Sequence, residues 1–290
     1  MRMSTRRKLA IASWSAPREG NIYGKVELDA HEVLRLMAHV RDTTGEKVTI
    51  THVVGRIVGE ALAAVPSLNG RIVLGAFRPH ARVDVAYLVA LDDGANLAKA
   101  TLTDMDRKDL VDVARELRAR AESLRRGADP AFQKSQGPLR LLPTWLIRPL
   151  VHLTGWLTGA LGISVPALGL ERFPFGGAIV TSVGMLGVDE GYAPPTPWAH
   201  VPLYVAVGAV REVPAVVDGA VVPRKRVVLT ATLDHRFVDG AQAGQLVGVL
   251  RRRFENPWPL VGLDGPPAPA SGAGPEAGPA TPRPATPVST

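Results

Sequence analysis

Thr232-Leu233-Asp234-His235-Arg236-Phe237-Val238-Asp239-Gly240 turns a strand into a helix. The run before it, RVVLTATL from Arg226 to Leu233, is apolar and rich in β-branched residues, and reads as a strand. From Asp239 to Phe254, residues Ala243, Leu246, Val247, Leu250 and Phe254 recur at helical spacing. Asp239 stands where a helix leaves its first N–H groups unpaired, and its carboxylate is an acceptor for them. His235 therefore sits on a rigid corner, where an imidazole serves proton transfer near pH 7. A histidine alone, one of seven, is an ordinary surface or core group; the spacing to Asp239-Gly240 singles this one out.

Composition narrows the chemistry. The chain has no cysteine, which excludes disulfides, Cys-ligated zinc, iron–sulfur clusters and a cysteine nucleophile. It fits a reducing, cytoplasmic setting. There are 34 basic against 27 acidic residues, a net charge of +7. Such an excess is either a solvated surface or an attraction for anions. No zinc spacing, aromatic RNA-binding strand or long basic helix points to nucleic acid, and no metal site is expected. The apolar run after Lys8 is too short for a signal peptide.

Along the chain, Lys25 to Asp29 alternates as a strand, and Asp29 with Glu32 reads as a capping box for a helix carrying Val33, Leu36, Met37 and Val40. A second helix, about 51–65, turns Val54, Ile57, Val58, Ala61 and Leu62 inward and stops at Pro66. Val83 to Leu91 reads as a strand closed by an Asp93-Gly94 turn, and Asp106 to Arg126 as a helix ending at Gly127. Leu203 to Val210 supplies a further strand, and Val217-Asp218-Gly219 a hairpin turn. From about Gly265 to Thr290 the chain is mainly Pro, Ala, Gly, Ser and Thr, a composition that does not order itself. The expected organisation is one domain over 1–258 and a disordered tail over 259–290.

His235, Asp239 and Gly240 resemble the His-x-x-x-Asp-Gly signature of the dihydrolipoamide acyltransferases of 2-oxoacid dehydrogenase complexes, whose fold chloramphenicol acetyltransferase shares. Phe175 to Gly187, FGGAIVTSVGMLG, resembles the family's Gly-Gly-x-Phe-Thr-Ile-Ser-Asn-Leu-Gly-x-x-Gly. Arg6 to Ala12, Glu60 to Ile72 and Val207 to Glu212 are similar to further family stretches. The segment after Gly94, Ala95 to Ala100, departs from the family's Leu-Ile-x-Pro-Val, which lines part of its substrate channel.

The resemblance implies an α/β fold, a chloramphenicol acetyltransferase-like two-layer sandwich with a mixed β-sheet and covering helices. It implies acyl transfer between coenzyme A and a thiol or other acceptor, with His235 as general base and an oxyanion donor in the Thr181-Ser182 pair. A strand-end Thr and Ser bonded to backbone is the plainer use of those two residues. Asp239 is implied to pair with an arginine and fix the loop, with Arg236, Arg6 and Arg7 as candidates. The resemblance also implies a homotrimer in which His235 of one copy faces Thr181-Ser182 of the next. Neither a lipoyl nor a peripheral-subunit-binding domain is recognisable, so no covalent lipoyl group is expected. The tail favours a lone trimer over a cage.

One stretch, about 128–174, exceeds the family's usual connection. Within it, Pro149 to Leu170 carries no formal charge, and Arg140, Arg148, His152, Trp145 and Trp156 flank or punctuate it. An apolar lid or subunit contact, or a peripheral membrane or protein contact through 139–170, would each use it; its length also permits a membrane span of ~20 residues, but a single span would split the fold across the bilayer, which leaves a re-entrant hairpin. Two rivals to an acyltransferase stand: a scaffold subunit that keeps the fold without chemistry, and a lipid-contacting protein acting through this insertion. A Ser-His-Asp hydrolase has no Gly-x-Ser-x-Gly elbow to rest on.

Overall fold

The computed structural model describes residues 20–91, 96–128 and 142–267. Strand β1 (Asn21–Asp29) leads into helices α1 (His31–Thr44) and α2 (Ile50–Ala64). The short hairpin β2 (Gly70–Val73) and β3 (Ala76–Pro79) follows, then β4 (Val85–Leu91), β5 (Asn96–Leu102) and α3 (Leu110–Arg125). Helix α4 (Thr144–Gly155) precedes β6 (Ala178–Ser182), the long hairpin β7 (Leu203–Val217) and β8 (Ala220–Asp234), and α5 (Gly240–Glu255).

Six strands form one sheet in the order β1-β8-β7-β6-β4-β5. β4, β6 and β7 run parallel, and the other neighbours are antiparallel, so the sheet is mixed. The tip of the β7–β8 hairpin is Asp218 and Gly219, both at positive φ (51° and 83°), the geometry a two-residue turn between twisted strands needs.

Helices α1, α2, α3 and α5 cover one face of the sheet. Val33 and Leu36 of α1, Ile57 and Leu62 of α2, Leu110 and Val113 of α3, and Leu246 and Leu250 of α5 share one core with Leu203 and Leu229 of the sheet. Gly55 lets α2 lie close on β4: a Cβ there would fall inside the Tyr87 ring. A partly buried ion network ties α2 to α5. Glu60 receives Arg253 at 2.6 Å and Arg56 at 3.1 Å. The expected two-layer α/β arrangement with a mixed sheet is what the chain forms. The other face of β4, β6 and β7 packs a smaller cluster, Ala86, Ile179 and Tyr204, against Ala199 and Val201. Helix α4 lies outside that layer, with Ile147 and Val151 against Trp198.

Several element ends differ from expectation for local reasons. Helix α1 begins at His31. Asp29 accepts the His31 N–H at 2.8 Å, while Glu32 turns to Arg35 (2.9 Å) and to the Trp258 indole N–H (3.4 Å), so no capping box closes there. Helix α3 begins four residues later than Asp106, because Asp109 takes the Val111 N–H and caps it. Most of the Ala95–Ala100 segment, for which no secondary structure was expected, belongs to the edge strand Asn96–Leu102 on β4. Packing also continues beyond residue 258. Leu260, two residues past the expected boundary, is buried in the main core, and Leu263 lies against it. The expected family-like start at Arg6-Arg7, the Asp93-Gly94 turn and residues 268–290 lie outside the described residues.

Candidate active site

Strand β8 ends at Asp234 and α5 begins at Gly240, so His235 stands on the corner between them. The corner is pinned from three sides. The Asp234 N–H donates to Pro202 O (3.0 Å), the His235 N–H to Gly20 O (3.0 Å), and the Phe237 N–H to Asp234 O (3.0 Å). Phe237 and Val238 are buried in the main core, while His235 is exposed. Its Nδ1 lies 2.7 Å from Val238 O. A carbonyl oxygen only accepts, so Nδ1 carries the hydrogen and Nε2 keeps its lone pair.

Asp239 caps α5. Its Oδ1 accepts from the N–H groups of Ala241 (2.8 Å) and Gln242 (3.4 Å), and Gln242 Oε1 accepts from the Asp239 N–H at 3.0 Å. This reciprocal box fixes the backbone on which the Val238 carbonyl sits. The arginine pairing expected of Asp239 is corrected in part. Arg236 turns back to Asp234, its Nε 3.0 Å from both carboxylate oxygens, because two residues of separation on a tight turn present those groups to each other. Arg6 and Arg7 fall outside the described residues. Gly240 opens α5 with open space around it.

Thr181 and Ser182 end β6, and both are half-buried. Among the described residues neither hydroxyl has a hydrogen-bond partner, so the expected backbone-bonded use of these side chains is not what forms. The turn after them is held tightly: Val183 N–H donates to Val207 O (3.0 Å), and Gly184 presses on the backbone of Gly208 where a Cβ would not fit. β7 carries a register shift between Val207 and Val210 beside this turn.

The register separates the two halves. Leu233 faces Leu203, and Leu203 faces Ala178. His235 lies two residues beyond Leu233, whereas Thr181 lies three residues past Ala178 in the opposite direction. At ~3.3 Å per residue and ~4.8 Å per strand, the separation is roughly 17 Å along the strands and 10 Å across them. One copy does not bring the imidazole to the hydroxyls.

A small cavity adjoins the histidine corner, lined by Asp234, Arg236, Phe237, Ile72, His200 and Tyr204 among others. Burial, and then Arg236 and His152, hold the His200 imidazole below the usual histidine range. Near the hairpin that supplies Ile72 lies a basic cluster. Arg71 and Arg78 are cross-strand partners, and Arg71 and Arg172 both stack on Phe173, at 4.2 and 5.2 Å. Burial, then Arg172 and Arg78, push the Arg71 pKa down. Among the described residues these three guanidiniums have no acidic partner.

Sequence reasoning missed Val238, Gly20 and Gln242. The first two act through backbone oxygens, which no residue type announces. Gln242 was visible in the Asp-x-x-Gln spacing of a capping box.

The sequence model of the family described as 2-oxoacid dehydrogenases acyltransferase (catalytic domain) matches residues 1–132 and 168–261. Over 96 residues the chain is 33% identical to a probable dihydrolipoyllysine-residue succinyltransferase component of the 2-oxoglutarate dehydrogenase complex of Schizosaccharomyces pombe, covering 32% of this chain and 20% of that protein. Over 242 residues it is 21% identical to the dihydrolipoyllysine-residue acetyltransferase component of the pyruvate dehydrogenase complex of Rickettsia bellii, covering 82% and 47%. The chain thus spans about half the length, or less, of these curated relatives. Among solved structures, a probable dihydrolipoamide acetyltransferase from Listeria monocytogenes superposes with a TM-score of 0.64 at 19% identity, over 88% of this chain and 93% of that one. The dihydrolipoamide acetyltransferase of Azotobacter vinelandii, studied for the roles of a serine, a histidine and an asparagine in its catalytic mechanism, gives 0.60 at 18% identity, over 89% and 87%. These likenesses show a shared fold.

Proposed function

The chain belongs to the 2-oxoacid dehydrogenase acyltransferase catalytic-domain family, and from that premise we propose that it moves an acyl group between coenzyme A and a thiol acceptor, with His235 as general base. The observation that carries this reading is the 2.7 Å contact of His235 Nδ1 with Val238 O, which leaves Nε2 as the exposed base. The thiol S–H gives its proton to Nε2, and the sulfur attacks the thioester carbonyl carbon. The carbonyl oxygen becomes an oxyanion beside a hydroxyl donor. When the intermediate collapses, the leaving thiolate takes the proton back from the imidazolium. No acyl-enzyme forms, in keeping with a chain that has no cysteine.

The donor is a hydroxyl of Thr181 or Ser182, and it comes from a neighbouring copy in a homotrimer. Two things support this: the register distance within one copy, and hydroxyls without a partner among its described residues. The Azotobacter protein's histidine and asparagine are four residues apart, the spacing of His235 and Asp239, and its serine precedes its histidine in the chain as Thr181 and Ser182 do here. Arg71, Arg78 and Arg172 support a phosphate-bearing substrate, since they offer positive charge that no carboxylate among the described residues neutralises. Acyl exchange from acetyl- and branched acyl-CoA to dihydrolipoamide tests the reading. Transfer that the His235→Ala protein lacks is expected. A folded parent protein that transfers from no acyl-CoA overturns it.

A further inference from the structure

Residues 133–167 have no counterpart in the family pattern, which stops at 132 and resumes at 168. Helix α4 and the turn after it fall in that gap. They rest on the molecule by one side. Ile147 and Val151 pack with Trp198, Gly155 lies against Trp198 and Gly159 against His200, and Arg71 Nε donates to Ala160 O at 2.6 Å.

The opposite side is apolar and uncovered. At about 100° per residue, Trp145, Leu146, Pro149, Leu150, Leu153 and Trp156 fall within an arc of about 140°. All six are exposed, Trp145 at 75% and Leu153 at 54%, and no polar side chain interrupts them. The two tryptophans close the two ends of the stripe, ~16 Å apart at the rise of a helix. Arg148 is exposed on its margin, while the half-buried His152 beside it keeps its Nε2 buried. In the turn beyond, Leu161, Ile163 and Leu168 are exposed as well.

Charge selects the occupant. From Pro130 to Leu170 the sequence has Lys134, Arg140 and Arg148 and no acidic residue, in a chain with 27 acidic residues elsewhere. A leucine stripe alone suits a protein groove as well as lipid. Tryptophans at both ends, a basic margin and no carboxylate are the features that suit a negatively charged bilayer surface. We propose that the outer face of α4 docks on an anionic lipid bilayer, with the helix parallel to the surface and Trp145 and Trp156 at headgroup level. The histidine corner then lies close to the membrane, since the 195–202 segment under α4 also lines the cavity beside Asp234 and Arg236. This inference does not rest on the acyltransferase reading.

The test is flotation of the whole protein with phosphatidylcholine vesicles, with and without phosphatidylglycerol. The protein should float with the anionic vesicles, stay down with the neutral ones, and be released by salt. The double variant Trp145→Ser/Trp156→Ser should partition at least about tenfold less, with melting temperature and oligomeric mass unchanged. Arg148→Glu, which leaves the apolar stripe whole, should weaken binding to the anionic vesicles. A protein that ignores both vesicle types, or floats equally with both, overturns the proposal. So does a double variant that floats like its parent. A variant that loses oligomeric mass also overturns it, and marks the face as a contact between copies.

Discussion

The Nδ1 of His235 lies 2.7 Å from the carbonyl oxygen of Val238, three residues further along the same corner. The bond is local, but what holds it is not. The corner is anchored to Pro202 and Gly20 by backbone hydrogen bonds, and Val238 is buried beneath it. The imidazole is thereby held in one tautomer, and in the proposed reaction that would spare proton transfer a reorganisation step.

Replacing His235 by alanine should lower the acyl-transfer rate by about 10²–10⁴, the usual contribution of a positioned base. The side chain is exposed and fills no core space, so the melting temperature should stay within a degree or two of the parent by the scale of surface substitutions. Steady-state transfer and a thermal melt on the same preparations check both halves. A variant with parental turnover would remove the imidazole from the mechanism.

Asp239 acts through the cap. Asp239→Ala leaves α5 uncapped and should cost about 0.5–2 kcal/mol of stability. It also frees the Val238 carbonyl to move, so kcat should fall while KM changes little. Asp239→Asn keeps an oxygen for the Ala241 and Gln242 N–H groups, and should keep both stability and most of the activity. If asparagine proved as damaging as alanine, the carboxylate charge would be the requirement, and an ion pair rather than a cap would have to supply the reason.

The register that parts His235 from Thr181 and Ser182 gives a test needing no new structure. A His235→Ala protein keeps its hydroxyls, and a Thr181→Ala/Ser182→Ala protein keeps its imidazole. The second should lose about 10²–10³ in kcat, the effect of removing an oxyanion donor. Unfolded together and refolded as a mixture, the two inactive proteins should regain activity, because a mixed oligomer contains sites with both groups intact. A mixture as inactive as its components would place the working imidazole and hydroxyl in one chain.

Much of this site is legible in the residues themselves. The strand before His235, the helix after Asp239 and the role of Asp239 as a cap follow from periodicity and capping chemistry, which are local. The Phe175–Gly187 stretch likewise marks the end of β6, where glycines are needed for close backbone contact. What the residues do not carry is partner choice. Arg236 had acidic neighbours at Asp234 and Asp239, and only the turn geometry decides for Asp234. Glu32 likewise leaves the capping role for Arg35 and Trp258, a residue 226 positions away that packs beneath α1. The strand at residues 96–102 was hidden because its alternation is weak and its stability comes from pairing with β4.

Acid should unfold this protein earlier than its carboxylates alone would require. His52 sits at the third position of α2, and its Nδ1 accepts the Thr49 N–H at 3.1 Å, a bond only the neutral ring can make. Burial, and then Arg118, push its pKa down to about 4. Burial, and then Arg71, do the same to His80, also to about 4. Unfolded, both rings titrate near 6.5. Above that pH neither state binds the proton and nothing is lost. As the pH falls from 6.5 towards 4 the unfolded chain gains protons that the folded chain refuses, so stability drops, by about 2 kcal/mol for each ring once solvent screening is allowed for. The loss levels off below pH 4. His52→Gln keeps an acceptor for the Thr49 N–H and does not titrate, so its urea midpoint should fall about half as steeply over that window. A midpoint profile that follows the parent at every pH would mean that the ring is protonated in the folded protein, and that the α2 cap does not depend on its neutral form.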